Sequence, residues 1–238
     1  MLSIGGATIY ILECKDIELI KNHQVILNNI SFGVQAGDSI GIMGPSGSGK
    51  SSLFRLLNLL LSPSQGQILY RDKHIQSYAP TQLRRIIGYI LQKPYLFGTT
   101  VQENLIYPYE LLGQKPDFNE INGYLDQVQL PANTLEKKNT ALSGGEQQRI
   151  ALIRSLLIKP KIILLDEVTA ALDEENTLLI EKLITYEQQR QHLTVLFITH
   201  NLQQAKRLAR KMLYLEAGQI SFWGDATDFF KEKGEQHE

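Results

Sequence analysis

Ser39-Ile40-Gly41-Ile42-Met43-Gly44-Pro45-Ser46-Gly47-Ser48-Gly49-Lys50-Ser51-Ser52 joins a short apolar run, a glycine-rich turn and the start of a mostly apolar stretch. Gly44 to Ser51 fits G-x-x-x-x-G-K-S, a loop whose small residues let backbone N–H groups curl around the α/β-phosphates of a nucleoside triphosphate. Lys50 is spaced to reach the β/γ-phosphates, and the Ser51 hydroxyl to ligate Mg²⁺. Ser39–Met43 reads as a buried strand and Lys50 to Leu61 as a helix. Strand, loop and helix in that order aim free N–H groups at an anion. A glycine-rich turn with a chance lysine lacks such flanks. The expected phosphate-binding set is Gly44, Pro45, Ser46, Gly47, Ser48, Gly49, Lys50, Ser51 and Ser52.

Leu142-Ser143-Gly144-Gly145-Glu146 is the second informative stretch. Ser143 reads as a helix N-cap and Glu146 as its N3 partner in a capping box. Gly144 and Gly145 in the first turn leave room for a phosphate at the bare N-terminus. The helix then runs through Gln147, Arg149, Ile150, Leu152 and Ile153 and ends before Pro160. Capping boxes are common, so alone this stretch reads equally as an ordinary capped helix. Its place just upstream of an apolar strand ending in Asp166-Glu167 makes it specific.

Four short apolar segments end in polar residues. They are Ser39–Met43 running into the phosphate loop, Ile86–Leu91 into Gln92, Ile162–Leu165 into Asp166-Glu167, and Val195–Ile198 into Thr199-His200. Continuous apolar runs suit parallel strands covered on both faces by helices. Open α/β sheets bind ligands beyond the carboxyl ends of their strands, so all four polar ends are expected at one site. Leu12–Leu19, Val25–Val34 and Gln67–Tyr70 read as strands of a small antiparallel layer beside that sheet. From Pro94 to Leu142 no strand signal is clear. Thr100-Val101-Gln102-Glu103 is a capping box, and Pro108, Gly113, Pro116 and Pro131 are expected to divide the rest of this segment into short helices. The fold class is therefore α/β, a mostly parallel sheet with an antiparallel layer and an inserted helical subdomain at about 94–142.

The 238 residues are 43% hydrophobic and 21% charged, enough for a substantial core. Lys and Arg total 24 against 25 Asp and Glu, so no basic excess asks for nucleic acid. Cys14 is the single cysteine, which rules out an intrachain disulfide and makes a reducing compartment the default. No apolar run approaches the roughly 18 residues of a spanning helix. Residues 1–9 read as a lead-in to the first strand, with no basic segment or cleavage site of a signal peptide. Residues 229–238 read as a polar tail that frays from Lys231. A soluble intracellular protein is expected, reaching membranes only through a partner.

Asp166 closes its strand beside the phosphate loop, placed to hold Mg²⁺ through its water shell. Glu167 comes next with its side chain turned elsewhere, available as a base toward an attacking water or, more blandly, as a capping acid. Gln92 can touch metal or water, although a lone glutamine is usually a surface residue. His200 can polarise a γ-phosphate or the water, although a lone histidine is more often structural. Asp173 caps the next helix, with Glu174 and Glu175 in its first turn.

With these residues in this order, the chain resembles the ATP-binding-cassette (ABC) ATPases over nearly its whole length. The resemblance makes Gly44–Ser51 the Walker A loop of a P-loop NTPase core and centres the Q-loop on Gln92. Leu142–Glu146 corresponds to the signature, Ile162–Asp166 to Walker B, Ala170–Asp173 to the D-loop and His200 to the switch histidine. It implies one ABC ATPase domain at 10–228, ATP as substrate and Mg²⁺ as cofactor, held by Ser51, Gln92 and, through water, Asp166. It makes Glu167 the base and assigns His200 to the γ-phosphate. In that family ATP is sandwiched between the Walker A of one subunit and the signature of another. A homodimer or close-paralogue pair is therefore implied, with Leu142, Ser143, Gly144, Gly145 and Glu146 acting in trans.

A separate integral-membrane permease is also implied, which would hold the chain peripherally on the cytoplasmic face. Leu96–Pro108 and the run Gly113-Gln114-Lys115-Pro116 look like the ATPase subunits of iron-export (FetA) type, and plant relatives linked to aluminium tolerance share that pattern. An ABC ATPase acting on DNA or ribosomes is the competing reading. The interval from Ser51 to Ser143 is too short for a coiled-coil insertion and shows no heptads. The single cassette also differs from the paired cassettes of translation factors. A non-catalytic regulator is disfavoured because Glu167 and His200 are both present. One departure concerns the base: the family usually stacks adenine on an aromatic upstream of Walker A, but Ile17 to Asn29 holds no Phe, Tyr or Trp, so either His23 or an aliphatic such as Ile20 takes that place or adenine is loosely held.

Overall fold

Alternation along the central strands decides the layering. The computed structural model describes residues 9–234. In chain order the elements are β1 (Leu12–Lys21), β2 (Gln24–Val34), β3 (Ser39–Met43), α1 (Lys50–Leu57), β4 (Gln65–Tyr70) and β5 (Lys73–His74). Next come α2 (Pro80–Ile86), β6 (Ile87–Ile90), α3 (Val101–Leu112), α4 (Phe118–Gln127), α5 (Gly144–Leu157) and β7 (Ile162–Asp166). The chain closes with α6 (Glu174–Gln191), β8 (Thr194–Ile198), α7 (Leu202–Leu208), β9 (Lys211–Glu216), β10 (Gln219–Asp225) and α8 (Ala226–Gly234).

A six-stranded sheet runs β10-β9-β3-β8-β7-β6, and a four-stranded antiparallel sheet runs β2-β1-β4-β5. In the first, β9, β3, β8, β7 and β6 are parallel, and β10 is antiparallel at the edge. Successive side chains of a strand face opposite sides. Ile162 and Leu164 accordingly enter one core, shared with Leu12, Ile17, Leu27 and Ile30 of the antiparallel layer and Leu53 and Phe54 of α1. Ile163 and Leu165 enter the other, with Ile153 of α5 and Ile180 and Leu183 of α6. Every residue of β3, β7 and β8 is buried, the condition of strands covered on both faces. The mostly parallel sheet and the antiparallel layer match the expectation. The extension by β9 and β10 adds to it.

Three local expectations need correction. The helix after the phosphate loop ends at Leu57 rather than Leu61, and Leu59 turns the chain with φ +53°. Pro108 does not break its helix: α3 runs through it to Leu112, where Gly113 caps it in the left-handed conformation. A mid-helix proline costs about 3 kcal/mol. Val101, Leu105 and Tyr109, all buried in the core they share with α5, contribute roughly 1.5–3 kcal/mol each and outweigh it. The tail does not fray at Lys231, because α8 continues to Gly234. Residues 1–8 of the lead-in and 235–238 of the tail lie outside the described residues.

Candidate active site

The phosphate loop leaves β3 through Gly44, at φ +144°, where a Cβ would fall 1.9 Å from the Leu215 carbonyl oxygen. Only glycine fits there. Gly49 (φ +102°) stands at the N-cap of α1, which receives no side-chain cap and has no acid in its first turn. Its leading N–H groups are thus left for an anion. Lys50 is buried and folds back into the loop, donating to the carbonyls of Gly44 (2.9 Å) and Pro45 (2.7 Å). Burial lowers its pKa below the ordinary lysine value, against the opposing pull of Glu167 and Asp166.

Asp166, at the end of β7, is 6% exposed and has both oxygens engaged. The Ser51 hydroxyl donates to Oδ1 at 3.1 Å, and the Tyr89 hydroxyl donates to Oδ2 at 2.7 Å. A hydroxyl and a carboxylate meeting beside a phosphate loop are hard oxygen donors, and this pair fits Mg²⁺. Glu167 comes next. Its Oε2 accepts from the Gln92 amide at 2.7 Å, and its Oε1 lies 3.0 Å from His200 Nε2. Ends of β6, β7 and β8 therefore meet on one carboxylate, as their parallel order requires.

A cavity of about 300 Å³ is lined by Ile26, Ser46, Gly47, Gly49, Lys50, Ser51, Ser52, Glu167 and His200. The sequence-derived loop, base and switch residues thus share one space. Neither His23 nor Ile20 lines it. The aliphatic side chain beside the loop is Ile26 of β2, one position before the buried Leu27. Tyr89 is the other residue that sequence reading missed. Its only signal was an aromatic on the same face as Ile87 in a strand that leads to Gln92.

Leu142, Ser143, Gly144, Gly145 and Glu146 do not line this cavity, nor does Asp173. The capping box forms as expected: Ser143 Oγ accepts from the Glu146 N–H at 3.2 Å, and Glu146 accepts from the Ser143 N–H at 2.8 Å. That backbone N–H is the largest influence holding the Glu146 carboxyl below the usual carboxylate range. A Cβ on Gly145 would lie 3.5 Å from Leu172. Asp173 caps α6 by accepting from the Asn176 N–H at 2.8 Å. The glycine-rich N-terminus of α5 therefore packs beside the Leu172–Asp173 turn, and Leu172 also lines a second cavity, of about 870 Å³, with Glu167 and His200.

The family described as ABC transporter matches residues 27–170. The chain is 39% identical over 191 residues to the probable iron export ATP-binding protein FetA of Escherichia coli strain K12, across 80% of this chain and 85% of that protein. It is 33% identical over 233 residues to the phosphate import ATP-binding protein PstB of Pseudoalteromonas translucida strain TAC 125, across 92% and 84%. Among solved structures it resembles cbiO1 of Clostridium perfringens, part of the ABC transporter complex cbiONQ. The TM-score there is 0.82 at 26% identity, over 95% of this chain and 92% of that one.

Proposed function

The chain belongs to the ABC transporter family as an ATP-binding ATPase subunit, and from that premise we propose that Glu167 is its catalytic base and that a second copy completes its site. The observation that carries the first part is the Glu167 carboxylate held between Gln92 and His200 at the rim of the phosphate-loop cavity. Lys50 and the N–H groups around Gly47 and Gly49 bind the triphosphate. Ser51 and Asp166 would hold Mg²⁺, which supplies charge neutralisation on the β/γ-phosphates. Glu167 takes the proton of the attacking water, while Gln92 and His200 fix its orientation.

The second part rests on what the cavity lacks. No signature residue lines it, while Gly144 and Gly145 present a helix N-terminus elsewhere on the molecule. Pairing two copies head to tail would bring each glycine-rich N-terminus to the other's phosphate loop.

Among the described residues no helix is long and apolar enough to cross a membrane. We place the chain on the cytoplasmic face, bound to a separate permease. The docking surface proposed is the segment after Gln92 with the helical subdomain at 94–142. Tyr95 there is 70% exposed. A neighbouring cavity of about 510 Å³ includes Phe97, Ile106 and Leu135. The 39% identity to a probable iron-export protein favours metal export as the cargo reaction, although relatives include importers. Two measurements test the proposal: Mg²⁺-dependent ATP hydrolysis by the purified chain, lost in Glu167→Gln, and iron efflux in cells with and without the gene. Hydrolysis that survives Glu167→Gln contradicts the base assignment, and unchanged efflux contradicts the cargo.

A further inference from the structure

Asp166 is engaged by Ser51 of α1 and by Tyr89 of β6, whose ring packs on α1. Ser51 and Phe54 lie three residues apart on α1, and positions i and i+3 share a helix face. Ser51 donates directly to Oδ1. Phe54 is fully buried and meets the Tyr89 ring edge-on, with centroids 6.1 Å apart and planes at 86°. Tyr89 lies opposite Leu164 in the β6–β7 ladder, so its hydroxyl reaches the end of β7. It donates to Oδ2 at 2.7 Å, in the range of a strong hydrogen bond to an ionised carboxylate.

We propose that Tyr89 is a positioning residue for the metal-side carboxylate: its hydroxyl pins Asp166 Oδ2, keeping Oδ1 turned to Ser51, and so sets how strongly metal assists nucleotide binding. The proposal rests on the reading of Asp166 as the Mg²⁺-side acid. A carboxylate with one oxygen fixed cannot rotate to trade its oxygens. Without the phenol, Asp166 keeps its charge and its Ser51 contact but not a defined plane. Groups that orient a ligand in this way typically contribute about 10- to 100-fold to metal affinity.

The test uses Tyr89→Phe, which keeps the ring, its packing on Phe54 and the strand, and removes only the hydroxyl. Affinity for a fluorescent ATP analogue is measured with saturating Mg²⁺ and again in EDTA, in a Glu167→Gln background that suppresses turnover. The ratio of the two affinities is the readout. A tyrosine that only packs would change both affinities together and leave the ratio alone. The expected result is an unchanged affinity in EDTA and a ratio reduced about tenfold. A ratio equal to that of the parent protein overturns the proposal. Asp166→Asn run alongside should shrink the ratio at least as far. If it leaves the ratio intact, the metal-side reading fails, and the role of Tyr89 fails with it.

Discussion

Glu167 Oε1 and His200 Nε2 lie 3.0 Å apart, joining the residue after β7 to the second residue after β8. Glu167 holds φ +50°, a left-handed conformation that few non-glycine residues adopt, and its N–H donates to the Ile198 carbonyl at 3.2 Å. Backbone strain of this kind persists where the surroundings over-determine it, commonly at active sites. The conformation turns Glu167 away from Asp166, so adjacent carboxylates serve different partners.

Glu167→Gln is expected to keep ATP binding and lower turnover by about 10²- to 10⁴-fold, the range for loss of a general base. His200→Ala removes only one of the two side chains orienting that carboxylate. It is expected to lower kcat by less, with little change in KM. Steady-state ATPase assays of both variants decide the matter, and a His200→Ala defect confined to KM would contradict the orienting role.

Lys50→Ala should weaken ATP binding itself. The ammonium already sits inside the loop on two carbonyls, so little reorganisation precedes its contact with phosphate. Hydrogen bonds to charged groups contribute about 1.5–3 kcal/mol, a loss of at least tenfold in affinity. Equilibrium binding in EDTA isolates this term from the metal, and unchanged affinity there would count against the phosphate-loop assignment.

Tyr95 and Phe97 should behave differently. Tyr95 projects outward, whereas Phe97 is half-buried, edge-on to Tyr107 at 4.8 Å and beneath the Arg154 guanidinium at 5.2 Å. Tyr95→Asp is expected to reduce recovery of the chain with membranes while its melting temperature and ATP binding stay unchanged. Phe97→Asp is expected to destabilise the fold, by about 1–3 kcal/mol. Full membrane recovery of Tyr95→Asp would remove this segment from the docking surface.

Glu187, on α6, is fully buried, with Arg190 Nε 3.5 Å from its carboxylate. Burial raises its pKa above the ordinary glutamate value of 4.5, and the largest opposing influence is Arg190. A folded-state pKa above the unfolded one means the fold favours the protonated form. The associated stability is full below the unfolded value and is lost as pH rises through the folded one. Glu187→Gln, neutral at every pH, should therefore melt higher than the parent near neutrality, by about 2–4 °C per kcal/mol gained. The gain should shrink as pH falls toward the unfolded value. Thermal melts across that range check the sign, and a variant that melts lower at neutral pH would contradict it.

What the sequence disclosed was what neighbouring residues determine. A phosphate loop needs contiguous small residues, so Gly44 to Ser52 could be read directly. Buried parallel strands need unbroken apolar runs, so β3, β6, β7 and β8 and the meeting of their polar ends could be read too. The Ser143 and Asp173 caps are equally local. The hydrogen bond from Tyr89 to Asp166 was not legible, because it spans two strands and depends on where Phe54 props the ring. Ile26 was missed for a similar reason: it reaches the loop only because β2 lies over Gly49, whose Cβ position is 2.6 Å from the Leu27 side chain. Pro108 misled because its local penalty is smaller than the packing of α3.

The central claim is that the phosphate loop of one copy and the signature of another form a single ATP site. The most direct measurement mixes two variants in the Glu167→Gln background, Lys50→Ala and Ser143→Arg, and follows ATP-dependent dimerisation by sedimentation. In Ser143→Arg a bulky cation sits at a helix N-terminus, where it opposes the dipole and fills the space through which a phosphate would approach. Each variant alone carries a defect in every shared site and should stay monomeric. A mixed pair holds one doubly damaged site and one intact site, so dimers should appear only in the mixture. If each chain completed its own site, every site in the mixture would remain defective. A mixture no more dimeric than either variant alone would contradict the account.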